Sequence, residues 1–176
     1  MSEAPRPVDP VQDVERLTEI GRFDLFSDEA RARLDGFARR AAERLGLPIG
    51  LVNIVLYDAQ HMAGSHGLTG WLAETRGTPV EWSFCATSVR TGEEYVVPDA
   101  QLDEAQCDNP LVTIDGIRSY AGVPLITSAG HVLGSCCVLG TEVHEFTATE
   151  VAELRAMAAE VVAEIESLRL PQVVAS

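Results

Sequence analysis

Four cysteines, four histidines and one long acidic segment are the groups in this 176-residue chain whose types and spacing could do chemistry. Cys85 stands in Ser83-Phe84-Cys85, at the start of a predicted short helix, where a helix N-terminus favours a thiolate. Its functional reading is a redox-active or ligand-contacting thiol; its structural reading is a small buried residue packed on a sheet. Cys136 and Cys137 adjoin in a predicted strand, so alternation sends their side chains to opposite faces and makes a bond between them unfavourable. Cys107 lies among Asp103, Glu104, Gln106 and Asp108, acidic surroundings that make a thiolate scarce and argue against a nucleophile. No C-x-x-C pair is present, and His61, His66, His131 and His144 form no H-E-x-x-H pattern, so they read as surface or turn histidines.

The charge balance removes further classes. Against 27 acidic residues stand 13 basic ones, a net charge of −14, and every basic residue is arginine. Without lysine there is no Schiff-base amine, no P-loop lysine and no lysine general base. A chain this negative repels a phosphate backbone, so no nucleic-acid partner is expected. Between Arg90 and Arg118 lie Glu93, Glu94, Asp99, Asp103, Glu104, Asp108 and Asp115 with no base among them. If this segment lids a pocket, its field favours a neutral or cationic ligand, and Arg118 is the one nearby group able to grip a carboxylate or phosphate. No stretch reaches the roughly 20 apolar residues of a membrane span. The first ten residues lack the basic start and apolar run of a signal peptide, so the expected location is the cytoplasm, with reduced thiols.

The elements that must position these groups follow from periodicity and punctuation. Residues 1–10 read as a disordered tail, and Val11, Val14, Leu17 and Ile20 as one short amphipathic helix. Ser27 with Asp28 and Glu29 opens a second helix that runs to about Leu45 and stops at Gly46. Ile49–Tyr57 and Gln60–Ser65 read as a hairpin, Trp71 and Leu72 as a helical turn, Phe84–Val89 as a short helix and Tyr95–Pro98 as a brief strand. Asp99–Asp115 is a long irregular segment, of the kind that is usually functional. Ser119–Ile126 and Val132–Leu139 form a last hairpin. Thr147 and Glu150 make a capping box for a closing helix to about Leu168, and 169–176 reads as a tail. Hairpins with helices at both ends make an α+β sandwich, one domain over residues 11–168.

Six strings recur in the order of a known family. They are Ala41-Ala42-Glu43-Arg44-Leu45-Gly46-Leu47-Pro48-Ile49, Glu81-Trp82-Ser83-Phe84-Cys85-Ala86, Val96-Val97-Pro98-Asp99-Ala100, Asp108-Asn109-Pro110-Leu111-Val112, Ile117-Arg118-Ser119-Tyr120-Ala121-Gly122-Val123-Pro124-Leu125 and Val132-Leu133-Gly134-Ser135-Cys136-Cys137-Val138-Leu139. Together they resemble a GAF domain, the small-molecule sensory module of phytochromes, cyclic-nucleotide phosphodiesterases and bacterial signalling proteins.

The resemblance implies a six-stranded antiparallel sheet with the terminal helices on one face. On the other face a short helix and a long loop would cover a pocket. It implies Trp82, Phe84 and Tyr120 as aromatic walls, Asp99, Asn109 and Ser119 as polar contacts, and Cys85 and Arg118 as further ligand-binding groups. It also implies a homodimer through the terminal helices. Cyclic-nucleotide binders of the family carry a lysine in their signature, which this chain lacks, and some members bind haem. The reading is a free-standing bacterial sensor without catalysis, reporting through a dimer or a signalling partner protein. Two alternatives are a thiol-dependent reductase of the free methionine-R-sulfoxide type, using Cys85 and Cys107, and a ligand-free interaction scaffold.

Overall fold

The computed structural model describes residues 4–171; the remaining parts of the two expected tails, 1–3 and 172–176, lie outside the described residues. Six strands form one sheet: β1 (Ile49–Val55), β2 (Ala59–His66), β3 (Gly77–Pro79), β4 (Tyr95–Val97), β5 (Ser119–Ile126) and β6 (Val132–Gly140). Their order is β3-β2-β1-β6-β5-β4, and every neighbouring pair is antiparallel. Period-two alternation divides the core into two layers. Val52, Ile54, Ala121, Val123, Cys136 and Val138 face one layer, and Leu51, Val55, Tyr120, Cys137 and Leu139 face the other. The adjacent cysteines therefore point to opposite sides of β6.

The first layer is covered by α1 (Val14–Ile20), α2 (Asp28–Leu45) and α6 (Ala148–Ser167). Ser27 caps α2, its hydroxyl accepting from the Ala30 amide at 3.1 Å, and Gly46 ends the helix in the left-handed region at φ 69°. The Thr147–Glu150 capping box opens α6. The second layer is covered by α3 (Gly70–Thr75), α4 (Cys85–Thr91) and α5 (Pro110–Thr113) with the loops between them.

Four elements differ from the sequence reading, one of them α5, a single helical turn inside the segment Asp99–Asp115 read as irregular. The expected helix from Val11 breaks at Asp13, which is extended and accepts from the Glu15 amide at 3.0 Å as the cap of α1. Val11 belongs instead to a single 3-10 turn, Pro10–Gln12, and is buried in the second layer. β1 ends at Val55 and not at Tyr57, because Leu56 closes the turn by donating to the Ala59 carbonyl at 2.7 Å. Gly77–Pro79, which the sequence reading gave to no element, pairs with β2 as an edge strand, its proline at the outer end. One irregularity sets the site: β1 and β2 slip register between Val52 and Asn53, where Ala63 is the extra residue. The bulge lets Ala63 and Gly64 both face α2 while Met62 and Gln60 face the opposite layer.

Candidate functional site

The sheet face opposite the terminal helices carries a polar cluster in an otherwise apolar layer. Its centre is the sulfur of Cys85, in the first turn of α4. Ser135 Oγ donates to it at 2.9 Å and Asn53 Nδ2 at 3.2 Å; Tyr120 Oη lies 3.2 Å away and Cys137 Sγ 3.8 Å. Three strands supply these groups: Asn53 from β1 and Ser135 from β6 stand opposite each other, Cys137 lies two residues along β6, and Tyr120 comes from farther along β5, opposite Leu139. Tyr120 reaches the cluster by lying back along its own strand over Gly122, where any Cβ would overlap the phenol oxygen. Its ring stacks on Phe84 at 5.0 Å between centroids.

Burial alone pushes the Cys85 thiol up, but the donors from Cys137, Ser135, Tyr120 and Asn53 outweigh it and bring its pKa down to about 6. Burial and the neighbouring Cys85 charge push Tyr120 and Cys137 up, so both keep their protons. Cys136, on the other face, is pushed up to about 12, mainly by burial. The sign gives a test. Thiolate predominates above the pKa, so ultraviolet thiolate absorption is expected to rise through pH 6 in the native protein. That step is expected to vanish in Cys85→Ser and to shift upward by about one pH unit in Ser135→Ala, where one charge-assisted donor is lost.

A second network runs outward from Asn53. Its amide nitrogen also donates to Gln60 Oε1 at 3.3 Å, Ser83 Oγ donates to the same oxygen at 2.8 Å, and Gln60 Nε2 donates to Thr78 Oγ1 at 2.7 Å. The Asn53 Oδ1 atom, in a side chain only 2 % exposed, has no hydrogen-bond partner within the protein. Between these groups and the cover lies a cavity of about 20 Å³, room for one water-sized molecule. Leu51, Met62, Leu72, Leu111 and Ile117 supply apolar walls; Asn53, Gln60, Cys85 and Tyr120 supply the polar lining. No aspartate, glutamate, arginine or histidine lines it, and the one lining group that ionises near neutrality is Cys85. Among the described residues no group of three His, Cys, Asp or Glu could hold a metal ion.

The structure brings Phe84, Cys85 and Tyr120 together on this cavity and places the other expected residues around it. Asn109 clips the cover: its Oδ1 accepts from the Leu111 amide at 2.9 Å, and its Nδ2 donates to the Trp82 carbonyl at 3.1 Å and to Gln106 Oε1 at 2.9 Å. Trp82 packs edge-on against Trp71 outside the cavity, at 6.0 Å between centroids. Arg118 and Asp99 occupy each other, with Nε donating to Oδ1 at 2.6 Å and Nη2 to Oδ2 at 3.1 Å. Ser119 shares the helix-facing side of β5 with Ala121, since neighbouring Tyr120 takes the cavity side. Cys107 is half-buried in the loop that precedes α5, its Sγ 3.8 Å from the Glu104 carbonyl. Asn53, Gln60 and Ser135 escaped the sequence reading, which took Cys137 only as a strand residue facing away from Cys136. A lone asparagine inside the apolar run Ile49-Gly50-Leu51-Val52-Asn53-Ile54-Val55 was the signal that could have found the first.

Comparison with known proteins agrees with this architecture. Residues 29–165 match the GAF domain family, and the chain belongs to it. A cyclic di-GMP phosphodiesterase of Pseudomonas aeruginosa is 33% identical over 165 residues, a match that spans 93% of this chain and 27% of that protein. The chain thus spans about a quarter of that relative's length. Among solved structures, the GAF domain of a phosphoenolpyruvate-protein phosphotransferase from Coxiella burnetii superimposes with a TM-score of 0.66 at 18% identity, covering 91% of this chain and 96% of that one. A type II free methionine-R-sulfoxide reductase from Thermoplasma acidophilum gives 0.66 at 12% identity, covering 84% and 99%. At such identities these likenesses speak for the fold alone. Among the described residues no helix is long and apolar enough to cross a membrane.

Proposed function

We propose that this chain is a regulatory GAF module that senses a small uncharged molecule and reports it through the terminal helices to a second copy or to a partner protein. The observation that carries this reading is the largely apolar hollow on the sheet face opposite those helices, lined in part by Asn53, whose Oδ1 has no partner within the protein. That oxygen favours a ligand with one N–H or O–H donor on an otherwise apolar body. No carboxylate faces the hollow, and the one anion it can hold, the Cys85 thiolate, is already met by Ser135 and Asn53, so a neutral ligand suits it best.

A hollow of this size admits a larger ligand only after its apolar cover swings aside. Binding then selects an open arrangement, and only the difference in affinity between open and closed states is transmitted. A homodimer through the terminal helices suits such a report. Val151, Val162 and Leu168 of the closing segment remain half-buried, and an open groove of about 740 Å³ runs beside α6 between Ala158, Val162, Pro124 and Ile126. The cyclic di-GMP chemistry in the relative's name belongs to a much longer protein, and a regulatory input to such an output is the part this chain is suited to play.

The test is native mass spectrometry of the purified chain alongside Leu72→Trp, which fills the hollow from the cover. A co-purifying small molecule is expected on the wild type and at least tenfold less on the variant. An adduct-free wild type that instead recovers a protein partner would overturn the sensor in favour of a scaffold. A second reading, a thiol reductase, is favoured by the lowered pKa of Cys85. It requires methionine sulfoxide reduction that is lost in both Cys85→Ser and Cys107→Ser.

A further inference from the structure

We propose that Cys85 and Cys137 form a peroxide-reactive dithiol, in which hydrogen peroxide oxidises Cys85 and Cys137 closes the product to an intrachain disulfide. Three separate features meet at one place. The Cys85 sulfur lies 3.8 Å from that of Cys137, whereas Cys136 points to the other side of the sheet. The cavity beside Cys85 is of water size, which suits a peroxide and excludes bulkier oxidants. Asn53, whose Oδ1 is an acceptor with no partner within the protein, is among the residues lining the same cavity, so a polar group stands beside the sulfur for a peroxide to bind.

The chemistry balances in two steps. The Cys85 thiolate attacks one peroxide oxygen, the O–O bond breaks, and the departing hydroxide takes up the proton that the thiol released on ionising and leaves as water; Cys85 becomes a sulfenic acid. Cys137 then attacks that sulfur, its thiol proton goes to the leaving hydroxyl, and a second water departs as the S–S bond forms. In sum, two thiols and one peroxide give one disulfide and two waters, the sulfurs losing two electrons and the peroxide gaining them. The donors around Cys85 supply the thiolate that the first step needs, and the Tyr120 and Ser135 hydroxyls steady it. After that step the negative charge beside Cys137 is gone. This removes one of the causes that hold its proton. Closing 3.8 Å to a disulfide bond of about 2.05 Å asks for rotation of two side chains and a small slide of the first turn of α4. Nothing here depends on whether the hollow also takes another ligand.

The experiment is graded hydrogen peroxide on the native full chain, followed by alkylation in denaturant and peptide mapping. The expected product is a Cys85–Cys137 cross-link with loss of two hydrogens per chain, formed at least tenfold faster than oxidation of Cys107. Cys137→Ala is expected to stop at a Cys85 sulfenic acid that a 1,3-diketone traps. Should that variant fail to fold, the half-buried Cys107→Ser leaves the pair intact, and the cross-link must form in it at the wild-type rate. Oxidation confined to Cys107, with Cys85 and Cys137 both recovered as alkylated thiols, would overturn the proposal. So would a cross-link that joins Cys107 to either of them.

Discussion

Gly50→Ala is expected to lower stability by about 3 kcal/mol, a large share of the roughly 5–15 kcal/mol that holds a domain folded. At Gly50 the backbone of β1 runs directly under α2. A Cβ there would overlap the carbonyl oxygen of Ala38 and stand 3.2 Å from the Cβ of Ala42. Neither obstacle is the end of a flexible side chain, so α2 itself must lift from the sheet. Urea denaturation should show the loss, with a fall in Tm of roughly 10 °C. Gly36→Ala in the same helix is the control. Nothing lies within 4 Å of its Cβ position, and removing a helical glycine should stabilise by about 0.5–1 kcal/mol. Equal melting temperatures for Gly50→Ala and wild type would refute the close approach.

Arg16→Ala is expected to cost about 3 kcal/mol and to loosen one corner of the molecule before the rest. The guanidinium of Arg16, in a residue only 3 % exposed, donates to four carbonyls: Pro10 at 3.1 Å, Val11 at 2.8 Å, Val132 at 3.2 Å and Leu133 at 3.4 Å. It thereby ties the 3-10 turn to the start of β6. Asp9, just before that turn, grips Arg90 of α4 with both carboxylate oxygens, at 3.1 Å and 3.3 Å from Nε and 3.1 Å from Nη2. The N-terminal segment is thus a strap from the helix that carries Cys85 to α1 in the opposite layer. Hydrogen exchange in Arg16→Ala should rise first at residues 10–12 and at the start of β6. Arg16→Lys should behave like alanine, because an ammonium cannot reach carbonyls spread across a planar fork. Uniform exchange across the chain would show that Arg16 merely adds to global stability.

Much of the fold was written locally. The Ser27 cap, the Gly46 stop and the Thr147–Glu150 box mark helix ends by hydrogen bonds among residues close in sequence, and they were readable there. The first strand carried a β-branched run, and both long hairpins had clear turns. The misread parts lacked such signals. Gly77-Thr78-Pro79 has no strand composition and is extended only because β2 offers it an edge. Val11 fits a helical stripe, yet Asp13 starts the helix later and frees Val11 for the other layer.

The cluster at Cys85 divides along the same line. Cys85, Phe84 and Tyr120 stood in recognisable strings, and the opposite facing of Cys136 and Cys137 followed from the two-residue repeat of a strand. The pairing of Arg118 with Asp99 was not readable, nor the turning of Ser119 away from the cavity side. Asp99 could have answered any cation, and strand phase is settled only once Tyr120 is seen to take the cavity side. What the sequence by itself determined was the element order, the antiparallel α+β architecture and the family. The first two depend on propensities and contacts within a few residues, which composition and spacing record; the family was carried by the resemblance of six strings in order. The tertiary structure alone decided that one sulfur would collect donors from three strands, within 3.8 Å of a second sulfur and beside a hollow the size of a water. Register, a bulge at Ala63 and a glycine beneath Tyr120 set those distances across 32 to 52 residues of chain.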